Sequence, residues 1–446
     1  MTSRLTFQYV LTPNGIERDR TLQVDEAGTI AAIEPASGPA DGFFALPGMP
    51  NAHSHAFQRA LAGFAEARLG GDSFWSWREA MYRLANRVTP DDTRIIARQA
   101  FADMLRGGYT TVAEFHYLHG LPDGRHGADM AEAVIDAAAE TGIRLTLLPV
   151  LYQNGSFEQA AQPEQRRFVH ASLDDYLGLL ECLRGSARLG IAPHSLRAVP
   201  AAQLPALIRA ARDLLGPDCP IHIHISEQTG EVEQCREHYG TTPIDWLARH
   251  ATLDGHWNLV HATHATADES RLIRHADANV VLCPLTEAYL GDGLFAAGEH
   301  VANGGRIAIG SDSNIRADAI EELRWLEFGQ RLADRKRARL ATPRGLGAPL
   351  WSAAAQGGAA AVGGIGGKIE VGQPADLVVL DENSPALAGH DEETVLDALL
   401  IAGSRADLAA VYIGGQERVE HGELLGTPNP QPEFDATVRR LLTTSD

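Results

Sequence analysis

Eight short apolar segments, separated by stretches of helical periodicity, place the strongest constraint on the fold of this chain. They occupy residues 43–46, 109–115, 143–152, 189–193, 220–226, 257–263, 279–285 and 306–311. A regular alternation of strands and helices is typical of a parallel sheet covered by helices. Eight such strands over roughly 270 residues predict an α/β fold of the (β/α)8 TIM-barrel type, with a doubly wound open sheet as the structural alternative.

Helix start and stop signals lie between these segments. In TPDDTRIIARQAFADMLRGG, Thr89 or Asp91 can cap the start of a helix and Gly107 can end it. The segment DMAEAVIDAAAETG ends in the same way at Gly142. Further helices are predicted over residues 320–340, over PLWSAAAQGGAAAVG and over the last twenty residues. Most strands are thus followed by a helix, as a barrel requires.

The sequence pattern at both ends of the chain differs from that of the middle. Residues 4–35 contain short strands joined by turn signals, and strands broken by Gly and Asp turns return in GKIEVGQPADLVVLD and LAAVYIGGQERVEHGELLG. We therefore expect residues 1–47 and 366–446 to form one small discontinuous β-sandwich domain, with a helix at the C-terminal end. Residues 48–365 then form the barrel.

Charge and cysteine content argue against several classes of protein. The formal net charge of -20 disfavours binding to nucleic acid or to anionic membranes. No apolar run reaches the roughly 18 residues that span a bilayer, and the N-terminus lacks the apolar core of a signal peptide. The cysteines, which have no CxxC spacing and are expected to be buried thiols, are Cys182, Cys219, Cys235 and Cys283. These features predict a cytoplasmic protein with no nucleic-acid or membrane partner.

Lysine is so rare that it restricts the chemistry. Lys336 and Lys368 are the only two lysines, and neither lies in a predicted barrel strand. A Schiff-base or pyridoxal-phosphate mechanism therefore has no suitable residue on the barrel. A lysine carbamate that bridges two metals is hard to accommodate for the same reason.

Histidines and acidic residues follow the predicted strands at their C-terminal ends, where (β/α)8 barrels carry their active sites. His53 and His55 have the i, i+2 spacing that turns two side chains to one face of an extended segment, and His222 and His224 repeat it. The remaining candidates at strand ends are Glu227, His261, His264 and Asp312. Each residue alone could be a packed histidine, a cap or a solvated acid. Together, imidazoles and carboxylates at one rim predict a site for zinc or a similar divalent ion.

Several stretches of the chain resemble the amidohydrolase superfamily, and most closely its formimino-glutamate deiminases of histidine degradation. They are PGMPNAHSHAFQRA, DSFWSWREAMYR, AEFHY, LLPVLY, HSLRAV, IHIHISEQ, LVHATHA and IGSDS followed by EELRWLE. The resemblance implies one Zn²⁺, or another divalent transition metal, held by His53, His55, His224 and Asp312. The predicted fourth strand, LGIAPHSLR, has no lysine, so a second metal is not expected.

The same resemblance implies roles around the metal. Glu227, His261 and Asp312 would be catalytic, with a metal-activated water attacking the formimino carbon of N-formimino-L-glutamate. Glu227 would carry a proton to the leaving ammonia, while His222 and His264 would pack or give support. A dicarboxylate substrate requires local cations, and arginine binds carboxylates bidentately. The implied substrate-binding residues are Gln58, Arg78, Tyr117, His194 and Arg197.

The predicted enzyme is thus a hydrolase of a linear amidine C–N bond that yields N-formyl-L-glutamate and ammonia. Such barrels commonly form homo-oligomers, and we expect a homodimer. The glycine-rich segment 68–73 is a candidate lid, and Trp75 and Trp77 are candidate pocket walls. His116 and His119 are expected to pack rather than to bind metal.

Three other functions are alternatives to this one. A deaminase of purines, pyrimidines or other cyclic amidines would use the same metal set but would not need Arg78 and Arg197. A non-catalytic metal-binding protein would need the histidines but not Glu227 together with His261. A serine hydrolase would require a GxSxG turn, which the sequence lacks. Phosphate-binding loops of the P-loop or GxGxxG type are also missing between a strand and a helix.

Overall fold

The computed structural model describes residues 3–64 and 74–442, without the side chains of residues 74–76. The candidate lid at 68–73 and the side chain of Trp75 therefore lie outside the described residues. Within that part of the chain, no helix combines the length and apolar character that a membrane crossing requires.

Strands and helices follow one another along the described chain. The strands are β1 (Ser3–Thr12), β2 (Gly15–Val24), β3 (Ile30–Pro35), β4 (Gly42–Pro47), β5 (Met49–Ser54), β6 (Tyr109–His116), β7 (Arg144–Leu151), β8 (Asn154–Ser156), β9 (Gln159–Ala160), β10 (Arg188–Leu189), β11 (Ala192–Pro193), β12 (Ile221–Ile225), β13 (Trp257–His261), β14 (Asn279–Leu282), β15 (Arg306–Ile309), β16 (Leu377–Leu380), β17 (Leu408–Ile413), β18 (Gln416–Glu420) and β19 (Glu423–Leu424). The helices are α1 (Phe74–Ala85), α2 (Pro90–Arg106), α3 (Asp129–Thr141), α4 (Leu173–Leu183), α5 (Leu204–Leu215), α6 (Thr229–Tyr239), α7 (Pro243–His250), α8 (Ala267–His275), α9 (Pro284–Leu290), α10 (Ala297–Ala302), α11 (Ala319–Asp334), α12 (Gly347–Ala361), α13 (Val395–Ala402) and α14 (Gln431–Leu442).

Parallel strands form the barrel that the sequence predicts. One run of hydrogen-bonded neighbours is β5–β6–β7–β10, with β11 also paired to β7, and a second run is β12–β13–β14–β15. Parallel bridges join the two runs, one between Ile191 and Ile221 and the other between Ser54 and Asp312. The second bridge closes the ring beside the histidines, since the backbone N–H of Asp312 donates to the carbonyl of His53 over 3.0 Å. The (β/α)8 fold class is confirmed.

The predicted position of the first barrel strand is wrong by a few residues. Residues 43–46 belong to β4, which pairs with β1 and β16 outside the barrel, and the first barrel strand is β5. Gly48 allows the close step between β4 and β5, because a Cβ there would lie 2.4 Å from the Thr110 side chain. Pro50 is tolerated because the β5–β6 register is irregular at that point. The predicted fourth strand, 189–193, is split into β10 and β11.

Capping explains where the longer helices begin and end. The hydroxyl of Thr89 accepts the backbone N–H of Asp92, whose carboxylate accepts the N–H of Thr89, so Thr89 caps α2. Asp91, the other predicted cap, lies inside the helix. Helix α3 ends as predicted at Gly142, which has a φ of 78°. Helix α11 is shorter than predicted and ends where Arg335 adopts a φ of 54°.

Both termini of the chain contribute to one eight-stranded sheet beside the barrel. Its strand order is β19–β18–β17–β16–β4–β1–β2–β3, and the antiparallel pairing of β16 with β4 joins the C-terminal strands to the N-terminal ones. Residues 373–375 hydrogen-bond to the β2–β3 turn and to Gly415, so the sheet curls towards itself. Its strands form one continuous hydrogen-bonded path, where the sequence predicted a sandwich. The domain boundaries at residues 47 and 365 stay predictions.

The C-terminal helix α14 packs against α2, on the barrel. Val438 and Leu441 are buried in the same apolar cluster as Leu84 of α1. An ion pair between Arg98 and Glu433 also links α14 to α2. Helix α14 therefore packs on the part of the barrel next to α1.

The cysteines are free thiols, as predicted. Cys219, Cys235 and Cys283 are buried, but Cys182 is exposed, so the prediction of burial is wrong for that residue. Its helix, α4, buries the opposite side, which carries Tyr176.

Candidate active site

Four predicted metal ligands meet at the C-terminal mouth of the barrel. The Nε2 atom of His53 lies 3.2 Å from Nε2 of His55 and 3.0 Å from Nε2 of His224. The Oδ1 atom of Asp312 lies 3.5 Å from Nε2 of His53 and 3.3 Å from Nε2 of His55. One ligand atom from each of the four residues lies within 4.8 Å of the other three. This arrangement can hold one metal ion with imidazole and carboxylate ligands.

Hydrogen bonds orient two of these rings so that Nε2 faces the centre. Nδ1 of His55 donates to the carbonyl of Phe115 over 2.9 Å, and Nδ1 of His224 donates to the carbonyl of His194 over 3.2 Å. Because a carbonyl only accepts, Nδ1 carries the proton and Nε2 keeps its lone pair. Burial lowers the pKa of His53 to about 3 and holds the pKa values of His55 and His224 below their ordinary range. Neutral imidazoles with a free Nε2 lone pair, beside a carboxylate, fit a divalent transition metal.

A buried hydrogen-bond network supports the segment that carries the first two ligands. The hydroxyl of Ser54 lies 2.6 Å from one carboxylate oxygen of Glu114, whose other oxygen accepts the N–H of Ala56 over 2.6 Å. Asn314 donates to the hydroxyl of Ser54 over 3.1 Å, and Ser311 donates to Asn314 over 2.6 Å. The network ties the segment after β5 to the end of β15, which carries Asp312. Such outer contacts orient metal ligands.

Two predicted catalytic side chains lie beside the metal cluster. His261 is 1% exposed, and its Nε2 atom lies 3.7 Å from Oδ2 of Asp312 and 3.9 Å from Oε1 of Glu227. Burial disfavours the charge on His261, but the carboxylates of Glu227, Glu287 and Asp312 outweigh it and raise its pKa to about 10. Burial raises the pKa of Glu227 above its ordinary value. An imidazole next to a carboxyl group of raised pKa is suited to proton transfer.

Backbone strain marks the strand ends that present these side chains. Positive φ angles between 46° and 69° occur at Ser226, His261, Ala262, Asp312 and Asn314. Residues with a Cβ atom rarely adopt this conformation, which persists only where the surrounding structure enforces it. One such constraint is the hydrogen bond of 3.1 Å from the N–H of Ala262 to the carbonyl of Ile225. Strain of this kind clusters at functional sites.

Two arginines line the cavity above the metal cluster. Arg197 follows β11, and Arg78 lies on α1. Nη2 of Arg197 lies 3.9 Å from Oε2 of Glu227. Arg78 donates to the hydroxyl of Tyr82 and its guanidinium lies 5.2 Å from the centre of that ring. Both arginines belong to the chain that supplies the metal ligands, so Arg78 reaches the cavity of its own barrel.

The other predicted substrate-binding residues line the same cavity. They are Gln58, Tyr117 and His194. Gln58 donates to the hydroxyl of Tyr117 over 2.7 Å, and the ring of Tyr117 lies edge-on to that of His55 at 4.9 Å between centroids. Nδ1 of His194 lies 3.1 Å from the hydroxyl of Ser195. All five predicted substrate-binding residues are therefore brought together.

Three further histidines, His222, His116 and His119, are not ligands in the metal cluster. Nε2 of His222 donates to the carbonyl of Ala361 over 2.9 Å, away from the metal cluster. The rings of His116 and His119 pack edge-on at 5.4 Å between centroids. Trp77 lines the cavity, as predicted for a wall residue.

Four polar residues near the site escaped sequence reasoning. Oε1 of Glu287 lies 3.2 Å from Nδ1 of His261. Gln165 donates to the hydroxyls of Tyr152 and Tyr82 over 2.6 and 3.0 Å, and both tyrosines line the cavity. Glu287 follows the predicted strand 279–285, but a glutamate on the first turn of a helix is common and gave no further signal. Tyr82 and Tyr152 lie in DSFWSWREAMYR and LLPVLY, which carry the family resemblance, but the sequence did not mark them as cavity residues, and Gln165 lies outside the stretches that carry the resemblance.

The barrel, the ligand cluster and the adjoining acid–imidazole pair define a metal-dependent hydrolase site. Residues 44–417 match the sequence profile described as the amidohydrolase family. The chain belongs to the amidohydrolase family. It is 44% identical over 457 residues to formimidoylglutamate deiminase of Pseudomonas aeruginosa, an alignment that covers 99% of this chain and 100% of that protein.

Solved structures agree with this assignment. The crystal structure of an amidohydrolase from Brucella melitensis superposes with a TM-score of 0.91 at 39% identity, over 98% of this chain and 99% of that one. An adenosine deaminase from Xanthomonas campestris, crystallised with bound zinc, has the same fold with a TM-score of 0.79 at 24% identity, over 98% of this chain and 97% of that one.

Proposed function

We propose that this protein is a formimidoylglutamate deiminase, which hydrolyses N-formimino-L-glutamate to N-formyl-L-glutamate and ammonia. The observation that carries the proposal is that two arginines, Arg78 and Arg197, line the cavity of the metal-ligand cluster. A hydrolytic metal centre beside two guanidinium groups suits a substrate with an amidine at one end and two carboxylates at the other. The 44% identity to the Pseudomonas aeruginosa enzyme over the full chain supports it.

One divalent ion would be held by His53, His55, His224 and Asp312. We propose zinc, because three imidazole nitrogens and a carboxylate oxygen suit it, although iron, cobalt and nickel accept the same donors. When bound, such an ion supplies Lewis acidity that lowers the pKa of water from about 16 to about 7, which makes water a nucleophile at neutral pH.

Glu227 moves a proton from water to the leaving nitrogen. Water adds to the formimino carbon, and the proton that it loses passes through the carboxylate of Glu227 to the imino nitrogen. The remaining hydroxyl proton passes through Asp312 to the same nitrogen while the carbon–nitrogen bond breaks. Ammonia then leaves as the formyl carbonyl forms. The raised pKa of Glu227, due first to burial, suits a group that accepts and returns a proton.

His261 acts on the oxygen of the nucleophile. Its Nε2 atom lies between the carboxylates of Asp312 and Glu227, at 3.7 and 3.9 Å. A protonated Nε2 at that point hydrogen-bonds the oxygen on which negative charge develops and stabilises the tetrahedral carbon.

The two substrate carboxylates are assigned to Arg78 and Arg197. Both line the cavity, and carboxylate groups pair readily with guanidinium groups in a desolvated site. Gln58, Tyr117 and His194 supply further hydrogen bonds from the same wall.

We also propose that the protein works as a homodimer in the cytoplasm. The free cysteines of the described chain suit a reducing compartment. Light scattering on the purified protein tests the dimer: a mass twice that of one chain supports it, and a mass of one chain contradicts it.

Ammonia release distinguishes this function from the nearest alternative. Purified protein of known metal content is incubated in parallel with N-formimino-L-glutamate, adenosine, guanine and cytosine. We expect kcat/KM for N-formimino-L-glutamate to exceed the other values by at least about 100-fold, because a nucleobase offers no carboxylate to Arg78 and Arg197. Ammonia release from a nucleobase or nucleoside, with none from N-formimino-L-glutamate, would contradict the proposal and favour a deaminase of cyclic amidines.

A further inference from the structure

Glu287 contacts His261 at the ring edge opposite the metal ligands. It lies on α9, directly after β14, and is 4% exposed. Its Oε1 atom lies 3.2 Å from Nδ1 of His261 and accepts the backbone N–H of Cys283 over 2.9 Å. Two donors on one oxygen hold the carboxylate in place.

The other edge of the same imidazole faces the proposed chemistry. Nε2 of His261 is the atom that approaches Asp312 and Glu227, at 3.7 and 3.9 Å. A half-turn of an imidazole ring exchanges each of its nitrogens with a carbon, so Nε2 faces the chemistry in only one of the two orientations. The backbone does not fix the orientation of the ring, so a second group is needed to select it.

We propose that Glu287 is a positioning residue, which accepts a hydrogen bond from Nδ1 of His261 and thereby holds the ring with Nε2 towards the oxygen of the nucleophile. This inference rests on the proposed function, which assigns His261 to the chemistry. A carboxylate that accepts Nδ1–H fixes the orientation of an imidazole without touching the substrate.

A purely structural role is the competing explanation, because the bond to Cys283 also completes the first turn of α9. Glu322 provides a matched comparison for this role. It is 0% exposed, and its Oε2 atom accepts the backbone N–H of Leu285 in the same turn over 2.9 Å. That hydrogen bond supports α9 and does not involve His261.

The experiment measures kcat and KM for N-formimino-L-glutamate in Glu287→Gln, Glu287→Leu and Glu322→Gln, together with metal content and Tm. Gln keeps an acceptor oxygen and removes the charge, whereas Leu removes both. We expect kcat to fall by about 10-fold in Glu287→Gln and about 100-fold in Glu287→Leu, with metal content unchanged and KM within about threefold. Glu322→Gln should lower kcat by less than about threefold.

A double-mutant cycle with His261→Gln tests whether Glu287 affects kcat through His261. If Glu287 acts only through His261, adding Glu287→Leu to His261→Gln should lower kcat by less than about threefold further. A wild-type kcat in the Glu287 variants, an equal loss in Glu322→Gln, or a full further loss in the double variant would overturn the inference. If His261→Gln is too slow to measure, the comparison of Glu287 with Glu322 decides alone. Wild-type protein that releases no ammonia would instead contradict the proposed function.

Discussion

Imidazole lone pairs that face one another inside a protein need a positive partner. The Nε2 atom of His53 lies 3.2 Å from Nε2 of His55 and 3.0 Å from Nε2 of His224. Burial lowers the pKa of His53 to about 3, so protonation near neutral pH does not remove their repulsion. Buried polar groups that lack a partner are costly. A divalent cation satisfies all of these lone pairs at once, which is why we read the cluster as a metal centre.

The variant Glu227→Gln tests proton transfer at the residue scale. An amide cannot carry the proton between water and nitrogen, so we expect kcat to fall by about 10²- to 10⁴-fold. Glu227 is not a ligand in the cluster, so metal content should stay at the wild-type value. Steady-state kinetics and metal analysis of the same preparation make the measurement. A variant with near-normal kcat would remove Glu227 from the mechanism.

The variant Arg197→Met tests carboxylate recognition. We expect kcat/KM for N-formimino-L-glutamate to fall by an amount equivalent to about 2–5 kcal/mol, because one substrate carboxylate loses its partner in a desolvated cavity. Arg209→Met is the control, since Arg209 lies on the exposed side of α5. An Arg197 variant that keeps the kcat/KM of the control would assign the arginine to another role.

At the scale of elements, helix α14 shares an apolar cluster with α1, although the two helices are distant in sequence. Helix α14 contributes Val438 and Leu441 to the apolar cluster that contains Leu84 and Met81 of α1. Arg78, which the proposed function assigns to a substrate carboxylate, lies on the same α1. We therefore expect the position of this arginine to depend on the docking of the C-terminal helix.

Truncation of a buried side chain on α14 tests this dependence. Leu441→Ala should lower the free energy of unfolding by about 2–5 kcal/mol through the cavity it leaves. It should also raise KM, because α1 loses its support. Leu332→Ala is the control, since Leu332 is 74% exposed and such changes usually stay within about 0.5 kcal/mol. Urea unfolding and substrate kinetics measure both effects, and an unchanged KM in a destabilised Leu441→Ala variant would contradict the coupling.

Sequence periodicity predicted most elements but not their exact allocation. The run at 43–46 is apolar enough for a barrel strand, but the barrel strand that carries His53 is β5. The sequence did not show this, because the close step at Gly48 depends on contact with Thr110, which is distant in the chain. His53, His55, His224 and Asp312 were among the candidates because strand ends converge in a barrel, and the family resemblance then selected these four as metal ligands. Glu287 was missed because a glutamate on the first turn of a helix is ordinary in sequence, and only its distance to His261 distinguishes it.

At the scale of the whole molecule, buried neutral histidines predict loss of stability in acid. His300 on α10 is 0% exposed, lies 2.8 Å from the hydroxyl of Ser270, and burial lowers its pKa to about 4. The unfolded chain binds a proton at this residue below about pH 6.5, while the folded protein binds it only below about pH 4. The stabilisation is therefore complete above about pH 6.5 and is lost as the pH falls towards 4, by at most about 3 kcal/mol.

The variant His300→Gln checks the sign of this effect. Between pH 6.5 and 4 its free energy of unfolding should fall less steeply than that of the wild type, because one proton-binding site of the unfolded chain is gone. Urea unfolding at several pH values gives the slopes, and equal slopes for wild type and His300→Gln would contradict the account.

The most direct test of the central claim is ammonia release from N-formimino-L-glutamate, measured against bound metal per chain. Chelator-treated protein is titrated with zinc, and ammonia release and metal content are determined at each point. We expect no ammonia from metal-free protein and full activity at one equivalent of divalent metal per chain. Ammonia release at the original rate from metal-free protein, or none from protein that holds one metal, would contradict the claim.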